Sequence, residues 1–426
     1  MKKRTLALLL AGAIALTASG CGSAFEAEYH YEEPVTGDFG TLSGDATEIR
    51  NYSMLKTVLT GMISRREERR EFRLSNYNGN PSEDLAAACY EMKSSNPLGA
   101  YAVESMSYDT SYVVSYYMAN IYISYKRTEE EIDSVYYAQT LNEFNGCVCD
   151  LLEENAPGAV IRIYSSHVDE SYIRELVREH YYEFPVTLVQ EPTVTVESFP
   201  SEGANRIYSI HFDYAQSRFR SARMAEETEA ALDAAVSELT ETEAPKLALE
   251  AAEWLCSLGT GEGDTPYQDT AYGALTDHST DSKGVALAYL ALCRRLEIPC
   301  TIVEGSVGAM GAEPHFWNII ELDGAHYHVD VSAFAADPAA AFLLGDDALW
   351  GTYIWETERY PACTGALTYA DVAGLPAPTE PPASEEETAA PAEEEGETAP
   401  AEENEGNTET GEAAAETSEE KDEKIP

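Results

Sequence analysis

From Val285 to Leu296 nearly every position is apolar, the pattern of a helix buried on all sides rather than one with a single wet face. Ser279, Thr280 and Asp281 stand just before it as N-cap candidates, which places Ser282 at or near its first turn. Ile298-Pro299 then opens a strand, Cys300 to Glu304, and small residues lead to two strand-like runs, His315–Leu322 and Ala325–Ser332. Asp323-Gly324 joins those runs, the strongest short signal for a two-residue hairpin. A loop of that length sets the register: Leu322 faces Ala325, Trp317 faces Asp330, and His315 faces Ser332. His315 and Asp330 then share a face as diagonal neighbours, roughly 7–8 Å apart along the backbone. A carboxylate there can reach the imidazole and hold one tautomer. Phe316, Ile320, Leu322, Tyr327, Val329 and Val331 form the opposite face, which is mostly apolar and turned to a core.

Upstream, the pattern repeats between about residues 51 and 230 with an offset of about ninety. Residues 51–135 read as helix (Met54–Ser64), strand (Glu71–Leu74), helix (Ser82–Met92) and two strands (Tyr101–Ser107, Tyr112–Tyr125). Residues 136–230 read the same way: Gln139–Glu154, Ala159–Tyr164, Glu170–Tyr182, then Thr193–Ser198 and Ile207–Tyr214. Val103-Glu104-Ser105 returns as Val196-Glu197-Ser198, and Ile121-Tyr122-Ile123-Ser124-Tyr125 as Ile210-His211-Phe212-Asp213-Tyr214. Each copy is α-β-α-β-β, which implies small mixed sheets covered by helices. Tyr108, Tyr112, Tyr116, Tyr117, Tyr122 and Tyr125 crowd one strand pair; they suit half-buried strands with wet hydroxyls, or a stacking surface for glycan or peptide. A helical bridge, Ala222–Leu239 and Ala244–Leu258, leads on to the hairpin region.

The ends of the chain differ in kind. Met1-Lys2-Lys3-Arg4 followed by an apolar run from Leu6 to Leu16 has the length of a signal peptide. Ala18-Ser19-Gly20-Cys21 reads as a lipoprotein cleavage box, so residues 1–20 are the signal and Cys21 becomes the acylated first residue and membrane anchor; a plain secretory signal is the other reading. Residues 21–50 read as a polar tether. Residues 370–426 are Pro, Ala, Thr and Glu with hardly a large apolar side chain, too little to offset chain entropy, and read as a disordered acidic spacer. The formal net charge of −49 argues against nucleic acid as a partner. Besides Cys21, seven cysteines remain, an odd number that does not suggest a disulfide framework. Cys147-Val148-Cys149 sits in a helical pattern, where residues two apart diverge, and reads as structural rather than metal-binding.

Tyr272-Gly273-Ala274-Leu275, the helix from Ser282, Glu297-Ile298-Pro299-Cys300, His315-Phe316-Trp317-Asn318 and Tyr327-His328-Val329-Asp330-Val331-Ser332 together resemble the bacterial transglutaminase-like superfamily. Phe342-Leu343-Leu344 and Arg359-Tyr360-Pro361-Ala362-Cys363 resemble its C-terminal end. The resemblance spans residues 240–366 and implies an α+β, papain-like fold. It also implies a Cys-His-Asp triad that forms a thioester with an amide carbonyl. Counted along these motifs, His315 and Asp330 match the histidine and aspartate, and Ser282 stands where the family has its cysteine. A thiolate is stabilised by a helix N-terminus and an imidazolium, whereas a serine must lose its proton as it attacks.

Two readings therefore stand for an exported protein lipid-anchored at the extracytoplasmic face of a bacterial membrane. One is a catalytically degenerate module that binds a cell-wall peptide or an envelope protein. The other is an acyltransferase or peptide hydrolase with Ser282 as nucleophile, His315 as base and Asp330 as orienter. No cofactor or metal is expected. His326 and His328 share the face of His315, and Glu321 lies opposite His326, but a strand spreads such groups over two ladder steps and the family uses no metal there. His278, four residues before Ser282, reads as a solvated loop residue.

Overall fold

The computed structural model describes residues 47–259, 265–308 and 313–375. The signal, the Cys21 box, most of the tether and the bulk of the acidic tail lie outside the described residues. The fold is α+β, built on three sheets.

The first sheet contains β1 (Thr47–Glu48), β2 (Arg69–Leu74), β3 (Val103–Val113) and β4 (Tyr116–Tyr125) in the order β1-β2-β4-β3, with β1 and β2 parallel and the rest antiparallel. Helix α1 (Tyr52–Ser64) is started by the Asn51 side chain, which accepts the Met54 N–H; α2 (Pro81–Ser94) is started by Asn80 and has proline at its first position. The second sheet contains β5 (Tyr136–Tyr137), β6 (Gly158–Tyr164), β7 (Thr193–Phe199) and β8 (Asn205–Asp213) in the order β5-β6-β8-β7. Its first pair is again parallel and its others antiparallel. Its helices are α3 (Leu141–Glu153) and α4 (Glu170–Glu183). Val103-Glu104-Ser105 opens β3 and Val196-Glu197-Ser198 lies in β7, each the edge strand next to the last strand of its sheet.

Three boundaries differ from the sequence expectation. The chain joins the first sheet at Thr47, inside the stretch read as tether, because Ile49 is fully buried and its N–H bonds to the Arg73 carbonyl. Tyr101 ends a short helix (Pro97–Ala102) instead of starting a strand. At the other end Tyr369–Val372 is a helical turn rather than tail: Thr368 and Asp371 form a capping box, and Val372 packs into the core. The tyrosines of β3 and β4 divide between roles. Tyr125 bonds the Glu67 carbonyl, Tyr116 and Tyr122 lie under Arg73 and Arg69, and Tyr112 is exposed.

After α5 (Arg218–Glu238) and α6 (Ala244–Ser257) comes α7 (Ser282–Arg295), which packs on the third sheet. That sheet is antiparallel throughout, in the order β12 (Phe342–Leu344), β11 (Ala325–Val329), β10 (Glu313–Leu322), β9 (Cys300–Val307), β13 (Tyr353–Trp355). One side of α7 (Val285, Tyr289, Leu292) meets Ile320, Leu322, Tyr327 and Val329. Its other side (Ala286, Leu287, Leu290) joins the core of the second sheet with Phe144, Tyr181 and Tyr208. That double burial is why its sequence has no wet face. The far side of the third sheet is buried too, by Val303, Trp317 and Ile319 against Leu349 and Cys363.

Asp323 (φ 52°) and Gly324 (φ 81°) make the hairpin turn, and the pairs Leu322–Ala325 through Asn318–Val329 have the expected register. β11 then stops at Val329, so the expected pairs Trp317–Asp330 and His315–Ser332 do not form. Asp330 leaves the ladder because its carboxylate caps a helical turn, Val331–Phe334, by accepting the N–H groups of Ser332 and Ala333.

Gly284 marks how tightly the start of α7 is held. A Cβ there would lie 2.4 Å from the Gln268 carbonyl oxygen and 2.9 Å from that of Thr270, whereas one on Gly146 in α3 would meet nothing. Gly284→Ala should therefore lower stability by about 1–3 kcal/mol in urea unfolding. Gly146→Ala should raise it by about 0.5–1 kcal/mol. Shifts of the same sign would contradict this packing.

Candidate active site

Ser282, His315 and Asp330 come from three different elements. Ser282 is the first residue of α7; Asp281 caps the helix by accepting the Gly284 N–H at 3.0 Å. The cap is itself tied down, since the Asp281 N–H and the Thr280 hydroxyl both donate to the Gln268 carbonyl. His315 stands near the start of β10, and Asp330 just beyond the end of β11.

The closest contact is His315 Nε2 to Asp330 Oδ2, at 2.6 Å. Asp330 is 3 % exposed and accepts at both oxygens. Oδ2 also takes the Tyr353 hydroxyl at 2.8 Å, and Oδ1 takes the Ser332 hydroxyl at 2.6 Å and the N–H groups of Ser332 and Ala333. Burial by itself raises this carboxyl's pKa. The hydrogen bond and charge of His315, with the Ser332 and Tyr353 hydroxyls, outweigh burial and hold it below the ordinary range. Ionised, Asp330 can only accept, so Nε2 carries a proton, and whenever the ring is neutral its lone pair is on Nδ1. The same charge, after burial, raises the Tyr353 pKa and keeps that phenol protonated.

Ser282 Oγ accepts the backbone N–H of Phe316 at 3.3 Å. Because β11 ends early, no strand pairs Phe316 on that side. Among the described residues no hydrogen bond joins Ser282 to the His315 ring, whose bonds run from Nε2 to Asp330 and, at 3.5 Å, to Ser332. The structure thus brings all three residues to one place, with His315 and Asp330 bonded and Ser282 held by the backbone beside them. Ser332, expected opposite His315, instead bridges His315 and Asp330.

Beside Ser282, Lys283 reaches into the second sheet's helices. Its Nζ pairs with Glu191 at 3.1 Å and lies over the rings of Tyr181, Tyr182 and Phe316. Arg178 of α4 pairs with Glu304 of β9 at 3.1 Å. Next to these groups a cleft of about 400 Å³ is lined by Arg178, Glu304, Gly305, Ile354, Trp355 and Tyr360. Tyr353 and the Phe316 N–H were not foreseen from sequence. Tyr353 follows Asp330 by twenty-three residues and arrives on an edge strand with no motif to mark it.

The other candidates scatter. His278 is exposed. His326 Nε2 lies 3.8 Å from Glu321 Oε2, whereas His328 is buried and bonds Trp317 and Asp346, so these residues form no common cluster. Cys147 and Cys149 are free thiols, and burial raises both, Cys149 to about 11.

No family model matches the chain, and no curated protein matches it. Among solved structures, a transglutaminase is similar over 50 % of this chain and 61 % of its own length, at 11 % identity and a TM-score of 0.23. A putative cysteine protease from Cytophaga hutchinsonii is similar over 38 % of this chain and 66 % of its own, at 13 % identity and a TM-score of 0.23. The chain thus spans less than two thirds of either. At that level of superposition neither likeness carries weight, and the site is read from its own geometry.

Asp330 makes a test of that geometry. Its depressed pKa contributes stability that is fully present above the unfolded value, about 4, and is lost as pH falls through the folded value. Asp330→Ala should cost about 3–5 kcal/mol at pH 7, because it strands His315 and Tyr353. In urea unfolding the gap between wild type and variant should narrow towards pH 3. A gap independent of pH would contradict an ionised, bonded Asp330.

Proposed function

We propose that this chain is an exported, lipid-anchored protein of transglutaminase-like type whose site has kept the base and lost the nucleophile. In this reading it is a module that binds peptide or protein segments at the extracytoplasmic face of the cell membrane. The observation that carries the reading is the state of Ser282: its oxygen accepts from the Phe316 N–H and makes no hydrogen bond to His315. Attack by a serine needs a base that takes its proton in the same step. His315 is otherwise oriented for the role, with Nε2 committed to Asp330 and Nδ1 not used in that bond. A cysteine would not need its proton taken in the attacking step, since a thiolate beside an imidazolium and a helix N-terminus forms before attack.

The cleft beside the site, lined by Trp355, Tyr360 and Ile354 together with the Arg178–Glu304 ion pair, supports a peptide as occupant. We read residues 51–230 as two copies of one unit, the second of which walls this cleft through α4. Ala18-Ser19-Gly20-Cys21 supports the anchor. A second reading, hydrolysis or acyl transfer by a Ser-His-Asp triad, is favoured by Ser282 opening a helix whose N-terminal N–H groups could hold an oxyanion.

The wild-type protein should neither cross-link nor hydrolyse Gln-containing peptides. Ser282→Cys should be alkylated by iodoacetamide at a pH well below the ordinary thiol value of about 8.5, and His315→Ala should abolish that advantage. Turnover by wild type would favour the second reading. A thiol that reacts no faster than a free one would dismiss the inherited triad. For the anchor, Cys21→Ala should leave an unlipidated protein of precursor mass; unmutated protein recovered from the medium without acyl chains would count against it.

A further inference from the structure

Behind the site lies a second histidine–aspartate pair. The Trp317 indole N–H donates to His328 Nδ1 at 3.0 Å, and His328 Nε2 lies 2.9 Å from Asp346 Oδ1. An indole nitrogen can only donate, so Nδ1 is the acceptor and Nε2 carries the ring's proton to Asp346. Burial lowers the His328 pKa, against the upward pull of Asp346, and the ring stays neutral. Asp346 Oδ1 is fixed in turn by the Cys363 N–H at 3.2 Å.

Polar atoms of His328, Asp346 and Cys363 lie within 4.8 Å of one another, which invites a metal reading. The tautomer rules against it. An ion on Nε2 would move the ring's proton to Nδ1, where it would face the Trp317 N–H. Burial also pushes the Cys363 thiol up to about 12, far from a ligating thiolate.

The pair instead holds Trp317. That indole lies against the His315 ring, centroids 6.1 Å apart and planes at 27°. Its edges meet Tyr353 at 5.1 Å and Trp355 at 6.0 Å. Gly305 gives it room, since a Cβ there would come within 2.6 Å of the indole. Tyr353 is the residue that donates to Asp330. Trp317 is therefore packed against both His315 and the phenol that fixes its partner, and its own rotation is set by the bond to His328.

We propose that His328 is a positioning residue for His315, acting through Trp317: one neutral, single-tautomer histidine fixes the indole against which the other is oriented. The inference rests on the reading of His315–Asp330 as the base of the site, but its first test does not need a competent nucleophile. In ¹⁵N NMR of the otherwise wild-type protein, His315 should show a single Nε2–H tautomer. His328→Asn, whose side-chain oxygen can take the place of Nδ1, should preserve that signature, and His328→Leu should give a mixed tautomer. In the Ser282→Cys background, His328→Leu should slow alkylation about tenfold, with His328→Asn within about threefold. Combined with Trp317→Phe, His328→Leu should add no further loss. A folded His328→Leu variant with an unchanged His315 signature, or losses that multiply with Trp317→Phe, would overturn the proposal. Should His328→Leu not fold, Trp317→Phe alone must mix the tautomers, and an unchanged spectrum refutes the relay. An unreactive Ser282→Cys beside the expected NMR result would sink only the inherited triad.

Discussion

The hydrogen bond between His315 and Asp330 is the constraint around which the third sheet is arranged. A buried carboxylate is tolerated only when its lone pairs are used, and Asp330 uses them on a ring, two hydroxyls and two backbone N–H groups. Each partner explains a feature of the fold. The two N–H groups require the chain to leave β11 and turn into a helix at Val331. The phenol requires an edge strand, β13, to bring Tyr353 alongside. The early end of β11 in turn leaves the Phe316 N–H for Ser282.

Helix α7 sets the other half of the site. It is buried against the hairpin on one side and the second sheet's helices on the other, so its first residue has little freedom to shift. Gly284 and the capping loop, bonded to Gln268, hold that end from below. The result is a rigid place at a helix start, occupied by Ser282, whose oxygen accepts the Phe316 N–H. Changing one atom, oxygen for sulfur, would alter the chemistry more than the packing, because the acid–base requirement differs between hydroxyl and thiol.

Much of this was legible in the sequence where local rules are strong. Asp323-Gly324 sets the hairpin register, and alternation then puts His315 and Asp330 on one face. An apolar run after Ser279–Asp281 places Ser282 at a helix start. The less legible features depend on contacts distant in sequence. Nothing in Ala325–Ser332 says that the strand yields to a cap at Asp330, since Val331 is as apolar as a strand residue would be. Tyr353 reaches Asp330 only because β13 pairs with β9. Thr47 joins the body through burial of Ile49, a single apolar residue in a polar stretch, and Tyr369 through Val372, which packs with Leu367 and Ala373 where the composition is already shifting to that of the tail. His328 looks like one of several histidines on a strand until the Trp317 N–H fixes its tautomer.

The most direct measurement is intact-mass analysis of the wild-type protein after prolonged exposure to a fluorophosphonate. No adduct is expected, because no base among the described residues is hydrogen-bonded to the Ser282 hydroxyl. An adduct that maps to Ser282 and disappears in His315→Ala would contradict it and establish a working serine triad.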